Sequence, residues 1–321
     1  MSIQNILVIL RANEEQLRRL QEAAPEAHVL RQSVKTLTKE QVEQADVIVG
    51  NLPVEFLPHT KGLKLLQLNT AGVIAPYTDM AARQPGTVLC CATGAYGPAV
   101  SEHMAASLLT LMKKLHLYRD QQFQGLWADQ GNVESPRGKQ VLVLGMGDIG
   151  THFASLLSDM GAVVTGIRRR PSQPPAGVQR IASMEDLDSL LPQSDIIAMV
   201  LPETKDTMNI MNKRRIGLMK PGSYLVNAGR GSAVDQDALV EALESGRLAG
   251  AALDVTTPEP LPAEHPLWKQ KNALITPHIS GNFHLPLTLD LIYEIAANNI
   301  RALQGKAEYL SRVDPQSGYR A

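Results

Sequence analysis

The sequence predicts an α/β chain built on two parallel sheets, and three observations carry that prediction. Residues 1–98 alternate short apolar runs with helical stretches. The stretch Val141–Gly150, VLVLGMGDIG, passes from an apolar strand through three glycines into an apolar-periodic helix. A last helical pattern, near Leu285–Leu303, follows the final strand of the second sheet and so returns to the first. A length of 321 residues suits two domains, each with its own core.

In the first unit, Ile6–Leu10 reads as a strand and Glu14–Ala24 as a charged amphipathic helix stopped near Pro25. His28–Leu30 is a short strand. Thr38–Gln44 is helical, with Thr38 as N-cap and Gln41 at the third helical position. Val47–Val49, Leu63–Leu68 and Val88–Cys91 are further apolar runs, which between helices imply a parallel sheet covered on both faces. No glycine-rich turn follows the first strand, where Leu10 leads into Arg11, Ala12 and Asn13. This unit therefore reads as flavodoxin-like, without a phosphate site of its own. Thr93–Pro98, TGAYGP, is a turn-rich hinge. Val100–Leu117 reads as one long helix, and Gly125–Gly138 as a polar loop.

The second unit shows strands at Val141–Leu144, Val163–Ile167, Ile196–Leu201, Tyr224–Asn227, Ala249–Leu253 and Ala273–Thr276. Helices fall at Ile149–Met160, Met184–Leu190, Lys213–Leu218 and Asp235–Glu244. These six strands after a glycine-rich first turn make a Rossmann-type sheet. Gly145, Gly147 and Gly150 have the G-x-G-x-x-G spacing of a dinucleotide turn. The first allows the tight turn, the second lets a pyrophosphate approach the backbone, and the third lets helix and strand pack closely. The helix N-terminus then offers free N–H groups to the phosphates. Two Rossmann-like domains follow: 1–98 with 283–321, split by an inserted cofactor domain at 99–282.

A net charge of −1 gives no sign of a nucleic-acid partner. The two cysteines, Cys90 and Cys91, are adjacent in an apolar run, read as buried inert thiols, and have no zinc spacing, so no metal is expected. That suits a reducing cytoplasm. The start, MSIQNILVIL, lacks a basic n-region and reads as a first strand rather than a leader, and no run suits a membrane helix.

Ligands of open α/β sheets bind outside the carboxyl ends of strands. Arg230 in NAGRG, Glu259 in DVTTPEP and His278 in TPHISG follow three successive strands. Singly, each suits a structural role; together they suit hydride transfer to a ketone. Histidine is the usual proton donor near neutral pH, a neighbouring carboxylate fixes its tautomer, and arginine grips carbonyl and carboxylate oxygens.

On these residues the chain resembles the D-isomer-specific 2-hydroxyacid dehydrogenases. GMGDIG, LPETKDT (201–207), NAGRG (227–231), ALDVTTPEPLP (252–262) and TPHISGN (276–282) occur in family order. The resemblance implies a catalytic trio of Arg230, Glu259 and His278. It implies cofactor contacts from Gly145, Gly147, Asp148, Ile149, Gly150, Arg168, Arg169, Leu201, Pro202, Ala228, Asp254 and Gly281, with Asp254 taking the nicotinamide carboxamide. It implies a carboxylate-binding turn at Asn69–Val73, with Ala71, Gly72 and Val73 on the substrate. Tyr96 either lines that pocket or packs in the hinge. A homodimer through the inserted domain is implied as well, which would suit the helix at Val100–Leu117.

Two departures stand out. NAD-using members end the second Rossmann strand in an acidic residue, and here Arg168 stands there, followed by Arg169 and Arg170 before Pro171. An acid repels a 2′-phosphate and an arginine pairs with one, so NADP(H) is expected over NAD(H). Ile74 stands where many members carry an aspartate. The chain also stops at Ala321, without the regulatory extension of long phosphoglycerate dehydrogenases. The expected activity is reduction of a small 2-ketoacid, glyoxylate or hydroxypyruvate first. A short phosphoglycerate dehydrogenase is the enzyme alternative, with only Lys61 and Lys64 near the turn to meet a phosphate. A dinucleotide-sensing, corepressor-like binding protein is the other.

Overall fold

The structure is a computed structural model that describes residues 2–169 and 173–316. It divides into two units: Met1–Tyr96 with Leu285–Ala321, and Gly97–His284. The first unit is therefore made of two stretches of chain and the second of one.

The first unit runs β1 (Asn5–Val8), α1 (Glu14–Ala23), β2 (His28–Arg31), α2 (Lys39–Glu43), β3 (Val47–Val49), β4 (Leu65–Gln67), α3 (Ala75–Arg83) and β5 (Val88–Cys90). Its five strands are parallel in the order β2-β1-β3-β4-β5, the flavodoxin-type doubly wound pattern. One row across the sheet pairs Leu7, Ile48, Leu66 and Leu89, none more than 2% exposed. Each such side chain contributes about 1.5–3 kcal/mol by leaving water. Asn13 caps α1 through a box with Gln16, and Thr38 caps α2 through a box with Gln41. Helix α3 has no counterpart in the sequence reading.

The second unit runs α4 (Gly97–Met112), α5 (Leu115–Phe123), β6 (Gln140–Leu144), α6 (Asp148–Asp159), β7 (Val163–Ile167), β8 (Val178–Ala182), α7 (Leu187–Leu190), β9 (Ile196–Met199), α8 (Lys213–Leu218), β10 (Tyr224–Asn227), α9 (Gln236–Glu244), β11 (Gly250–Leu253) and β12 (Ala273–Ile275). Its parallel sheet has seven strands, ordered β12-β11-β10-β9-β6-β7-β8. This corrects the expected six. The strand passed over is β8, an edge strand of sequence VQRIA whose middle residues are not buried. An edge strand needs only one covered side, so its apolar signal is thin. The single helix expected at Val100–Leu117 is two helices. Lys114 adopts φ +57, a left-handed conformation that ends one helix and starts the next. Periodicity counts apolar residues and cannot see such a break where no glycine marks it.

The last helix, α10 (Pro286–Leu303), belongs to the first unit and packs on α1. Its Tyr293 is fully buried and donates to the carbonyls of Leu10 and Arg11 at 3.3 and 3.2 Å. Its Asn299 donates to Gln67 of β4 at 2.7 Å. Cys90 and Cys91 are free and buried, and burial pushes the Cys90 thiol up to about 12.

Candidate active site

The turn between β6 and α6 takes its shape from its glycines. Gly145 has φ +102, and a Cβ on Gly150 would lie 2.0 Å from the Gly145 carbonyl oxygen. Gly147 is the N-cap of α6 and provides no side-chain cap; a Cβ there would meet open space. No N-cap side chain competes for the N–H groups at the start of α6, and the positive end of the helix lies behind them. This arrangement fits a dinucleotide pyrophosphate. Ile149 is half-buried in the first turn of α6. The Asp148 carboxylate accepts from the N–H of Gly97, the first residue of α4, at 2.9 Å and pairs with His152 of its own helix at 3.3 Å.

Arg168 and Arg169 follow β7 and are exposed, with the Arg168 N–H donating to Ala182 at 3.2 Å. Arg170 and Pro171 lie outside the described residues. Past β9, Leu201 is buried and the Pro202 carbonyl accepts from Thr207 at 2.6 Å. Ala228, past β10, donates its N–H to Met199 at 3.0 Å.

Strands β10, β11 and β12 are neighbours, and Arg230, Glu259 and His278 follow their carboxyl ends. Gly231 holds the first of these loops against the second, since a Cβ there would lie 2.0 Å from the Thr256 carbonyl oxygen. Arg230 is exposed and donates to the Gly229 carbonyl at 2.7 Å. Glu259 and His278 meet directly: Oε2 lies 2.8 Å from Nδ1, while Oε1 accepts from the Thr256 N–H at 3.1 Å. Among the described residues no hydrogen bond joins Arg230 to either partner of that pair.

Asp254, one residue past β11, is 4% exposed. Its carboxylate accepts from Thr276 at 2.6 Å, from the Ile279 N–H at 3.0 Å, from the Ser280 N–H at 3.1 Å and from the Ser280 hydroxyl. Gly281 follows this stretch and is half-buried.

In the first unit the turn Asn69–Val73 is braced at both ends. Asn51 and Asn69 exchange hydrogen bonds, side chain to backbone, at 2.7 and 3.0 Å. The Thr70 hydroxyl donates to Gly72 at 2.8 Å, and Thr93 donates to Ala71 at 3.5 Å. Ala71 and Val73 are half-buried and Gly72 is exposed. Tyr96 is buried, its hydroxyl donates to the Asn69 carbonyl, and burial pushes its phenol up to about 12. Ile74 is the N-cap of α3, 55% exposed and without a side-chain cap. An aspartate at that position would cap the helix; isoleucine leaves those N–H groups uncapped.

Sequence reasoning missed Asn51 and His103. Asn51 follows β3 much as Asn69 follows β4, and that repeat of strand-end asparagines was the available signal. His103 lies on α4, 3.0 Å from the Thr276 hydroxyl, with no local signal in its neighbours.

A doubly wound sheet with a dinucleotide turn and a carboxylate–imidazole pair at its carboxyl edge defines a nicotinamide-dependent dehydrogenase. Residues 105–280 match the family described as D-isomer specific 2-hydroxyacid dehydrogenase, NAD binding domain, and the chain belongs to that family. It is thus an NAD(P)-dependent dehydrogenase of 2-hydroxyacids and 2-ketoacids. A family protein of Aeromonas salmonicida has a similar structure, with TM-score 0.82 and 32% identity over 98% of this chain and 100% of that one. A family structure from Xanthobacter autotrophicus, in complex with NADPH and MES, matches at TM-score 0.80 and 27% identity over 99% and 100%. The glyoxylate/hydroxypyruvate reductase B of Pectobacterium carotovorum is 31% identical over 83% of this chain and 84% of its own.

Proposed function

We propose that this chain is an NADP(H)-preferring reductase of small 2-ketoacids, forming D-2-hydroxyacids, with glyoxylate and hydroxypyruvate as its substrates. The observation that carries the reading is the 2.8 Å pair of Glu259 and His278, on the same sheet as the uncapped glycine turn. The dinucleotide, when bound, supplies the hydride. His278 supplies the proton that the new alkoxide needs. Nδ1–H pairs with Glu259, so the proton given up is the one on Nε2 of the charged ring, and Glu259 stabilises that charge and orients the neutral Nδ1–H form left behind. Arg230 has five N–H donors, and Gly229 takes one of them. The others can hold the carbonyl oxygen and carboxylate of a ketoacid, where they stabilise developing charge. In the first unit the N–H groups of Ala71, Gly72 and Val73 form a turn suited to a substrate carboxylate, and Tyr96 holds that turn by the Asn69 carbonyl.

Arg168 and Arg169 support NADP(H), because a guanidinium pairs with a 2′-phosphate that an acid would repel. The NADPH complex of the Xanthobacter relative supports it too. A phosphorylated substrate is disfavoured. Lys64 pairs with Asp46 at 2.7 Å, and both precede their strands, at the edge opposite the carboxyl ends. The two buried thiols suit a cytoplasmic protein. A homodimer would use α5 and the loop after it, where Phe123, Leu126 and Trp127 are 74%, 52% and 102% exposed. Helix α4 buries most of its apolar residues in its own unit.

The test is a panel of 2-ketoacids with NADPH and with NADH, followed by loss of cofactor absorbance. The reading expects turnover of glyoxylate or hydroxypyruvate, with NADPH about tenfold or more the better cofactor and Arg168→Asp reversing that preference. Tight cofactor binding without turnover of any ketoacid would instead make this a dinucleotide sensor.

A further inference from the structure

The first unit holds a cavity that the proposed reaction does not use. Its volume is about 630 Å³, within the range of small-molecule sites. Helix α10 lines it with Leu291, Glu294 and Arg301, which fall on one helix face, and α1 lines it with Arg19. Thr93, past β5, and Leu310 and Ser311, past α10, line it as well.

Three charged side chains therefore face one site. Arg19 and Glu294 pair with each other at 2.8 Å, and Arg19 also reaches Glu15 at 3.4 Å. Arg301 is half-buried, and among the described residues its guanidinium makes no hydrogen bond or ion pair. Its place in the last turn of α10 favours a positive charge but gives its five N–H donors no acceptor. The lining thus has one positive charge in excess, carried on a planar fork that a carboxylate matches with two parallel bonds. Leu291 is half-buried and Leu310 is 41% exposed, so an apolar wall is open to a hydrocarbon body. Inorganic phosphate would use the fork and leave that wall in water.

The cavity is tied to the turn Asn69–Val73. The Ser311 hydroxyl donates to the Thr93 carbonyl at 2.6 Å. The Thr93 hydroxyl donates to the Ala71 carbonyl at 3.5 Å, and the Ala92 N–H donates to the Thr70 carbonyl at 2.8 Å. Ser311 is 3% exposed and holds φ +53, and its carbonyl accepts from the Cys91 N–H at 3.0 Å. A continuous line of hydrogen bonds runs from the cavity to the turn inside one unit.

We propose that this cavity binds an organic carboxylate with an apolar body, held by Arg301, and that the occupant steadies the turn Asn69–Val73. The effect on catalysis rests on reading that turn as the substrate's; the binding does not.

Calorimetric titration of the full chain tests it with three probes: cyclohexanecarboxylate, acetate and inorganic phosphate. None carries a ketone, so none is reduced. Cyclohexanecarboxylate should bind wild type and Arg230→Gln within about twofold of each other, which separates the cavity from the proposed carboxylate grip of Arg230. Arg301→Gln should weaken it at least about tenfold. Leu291→Glu, which sets a like charge against the carboxylate and removes the wall, should do the same. If one of these two fails to fold, the other decides. Acetate, which lacks the ring, and phosphate should each bind wild type at least about tenfold more weakly. With the cavity saturated, the KM for glyoxylate should fall about twofold or more in wild type and stay unchanged in Arg301→Gln, because a steadied turn is preorganised for its carboxylate. The inference is overturned if cyclohexanecarboxylate binding is lost in Arg230→Gln, if it survives undiminished in Arg301→Gln or Leu291→Glu, if phosphate binds as tightly, or if the KM ignores the occupant. Should the wild-type chain reduce no ketoacid, the reductase reading falls, and the titrations still decide whether the cavity is a site.

Discussion

The two units use one scaffold and differ at one end of it. At the amino ends of the strands they carry the same device. Asp46, just before β3, accepts from the N–H groups of Gln4 and Asn5 at the start of β1 and from Lys64. Asp195, just before β9, accepts from the N–H of Gln140 at the start of β6 and from Lys220. At the carboxyl ends the first turns part company. Helix α1 caps itself, with Asn13 accepting from Gln16 at 2.8 Å and Gln16 returning the bond at 2.9 Å. Helix α6 begins on Gly147 with no side-chain cap. A self-capped helix has already satisfied the N–H groups that an anion would need, whereas an uncapped one presents them. The difference in capping favours the turn of the second unit over that of the first as the dinucleotide site.

The largest expected break comes from Gly150→Val. Its Cβ would lie on the Gly145 carbonyl, so NADPH binding should be lost in a fluorescence titration, with about 1–3 kcal/mol of stability lost in urea melts. Gly147→Asp is sharper, because it makes α6 resemble α1. The space is open, so stability should change by no more than about 0.5 kcal/mol, while the new carboxylate displaces the pyrophosphate and weakens NADPH at least about tenfold. A fold that survives with undiminished affinity would break the comparison.

The shared device predicts a shared pH dependence. Burial alone would raise both aspartates, but hydrogen bonds from Lys64 and the β1 backbone outweigh it at Asp46, and those from Lys220 and Gln140 do so at Asp195. Each carboxyl is thus held below its ordinary value. The stability it contributes is full above the unfolded-state aspartate range, near pH 4, and is lost as pH falls through the lowered folded value. Asp46→Asn and Asp195→Asn should each cost about 1–2 kcal/mol at pH 7, and each should flatten the acid limb of Tm against pH. The smallest effect is Asn13→Ala, which should cost about 1 kcal/mol in the first unit and leave the Kd for NADPH unchanged.

Much of this was legible in the sequence, for identifiable reasons. Central strands buried on both faces, such as β6 and β9, show as unbroken apolar runs, and the capping box at Thr38 marks its helix locally. Edge strand β8 and the left-handed break at Lys114 were not legible, because neither depends on apolar periodicity. In the site, the close meeting of Glu259 and His278 followed from strand order. The four hydrogen bonds gathered on the Asp254 carboxylate did not, since they require the backbone path of Thr276–Ser280, and spacing alone does not specify a left-handed residue.

The central claim is that His278, held by Glu259, is the proton donor in a unit whose glycine turn binds the cofactor independently. A single-turnover measurement of NADPH oxidation by a 2-ketoacid, in wild type and in His278→Ala at saturating cofactor, tests it most directly. The account predicts a rate at least about 100-fold lower in the variant, with the Kd for NADPH within about twofold of wild type. An undiminished rate in His278→Ala would contradict it.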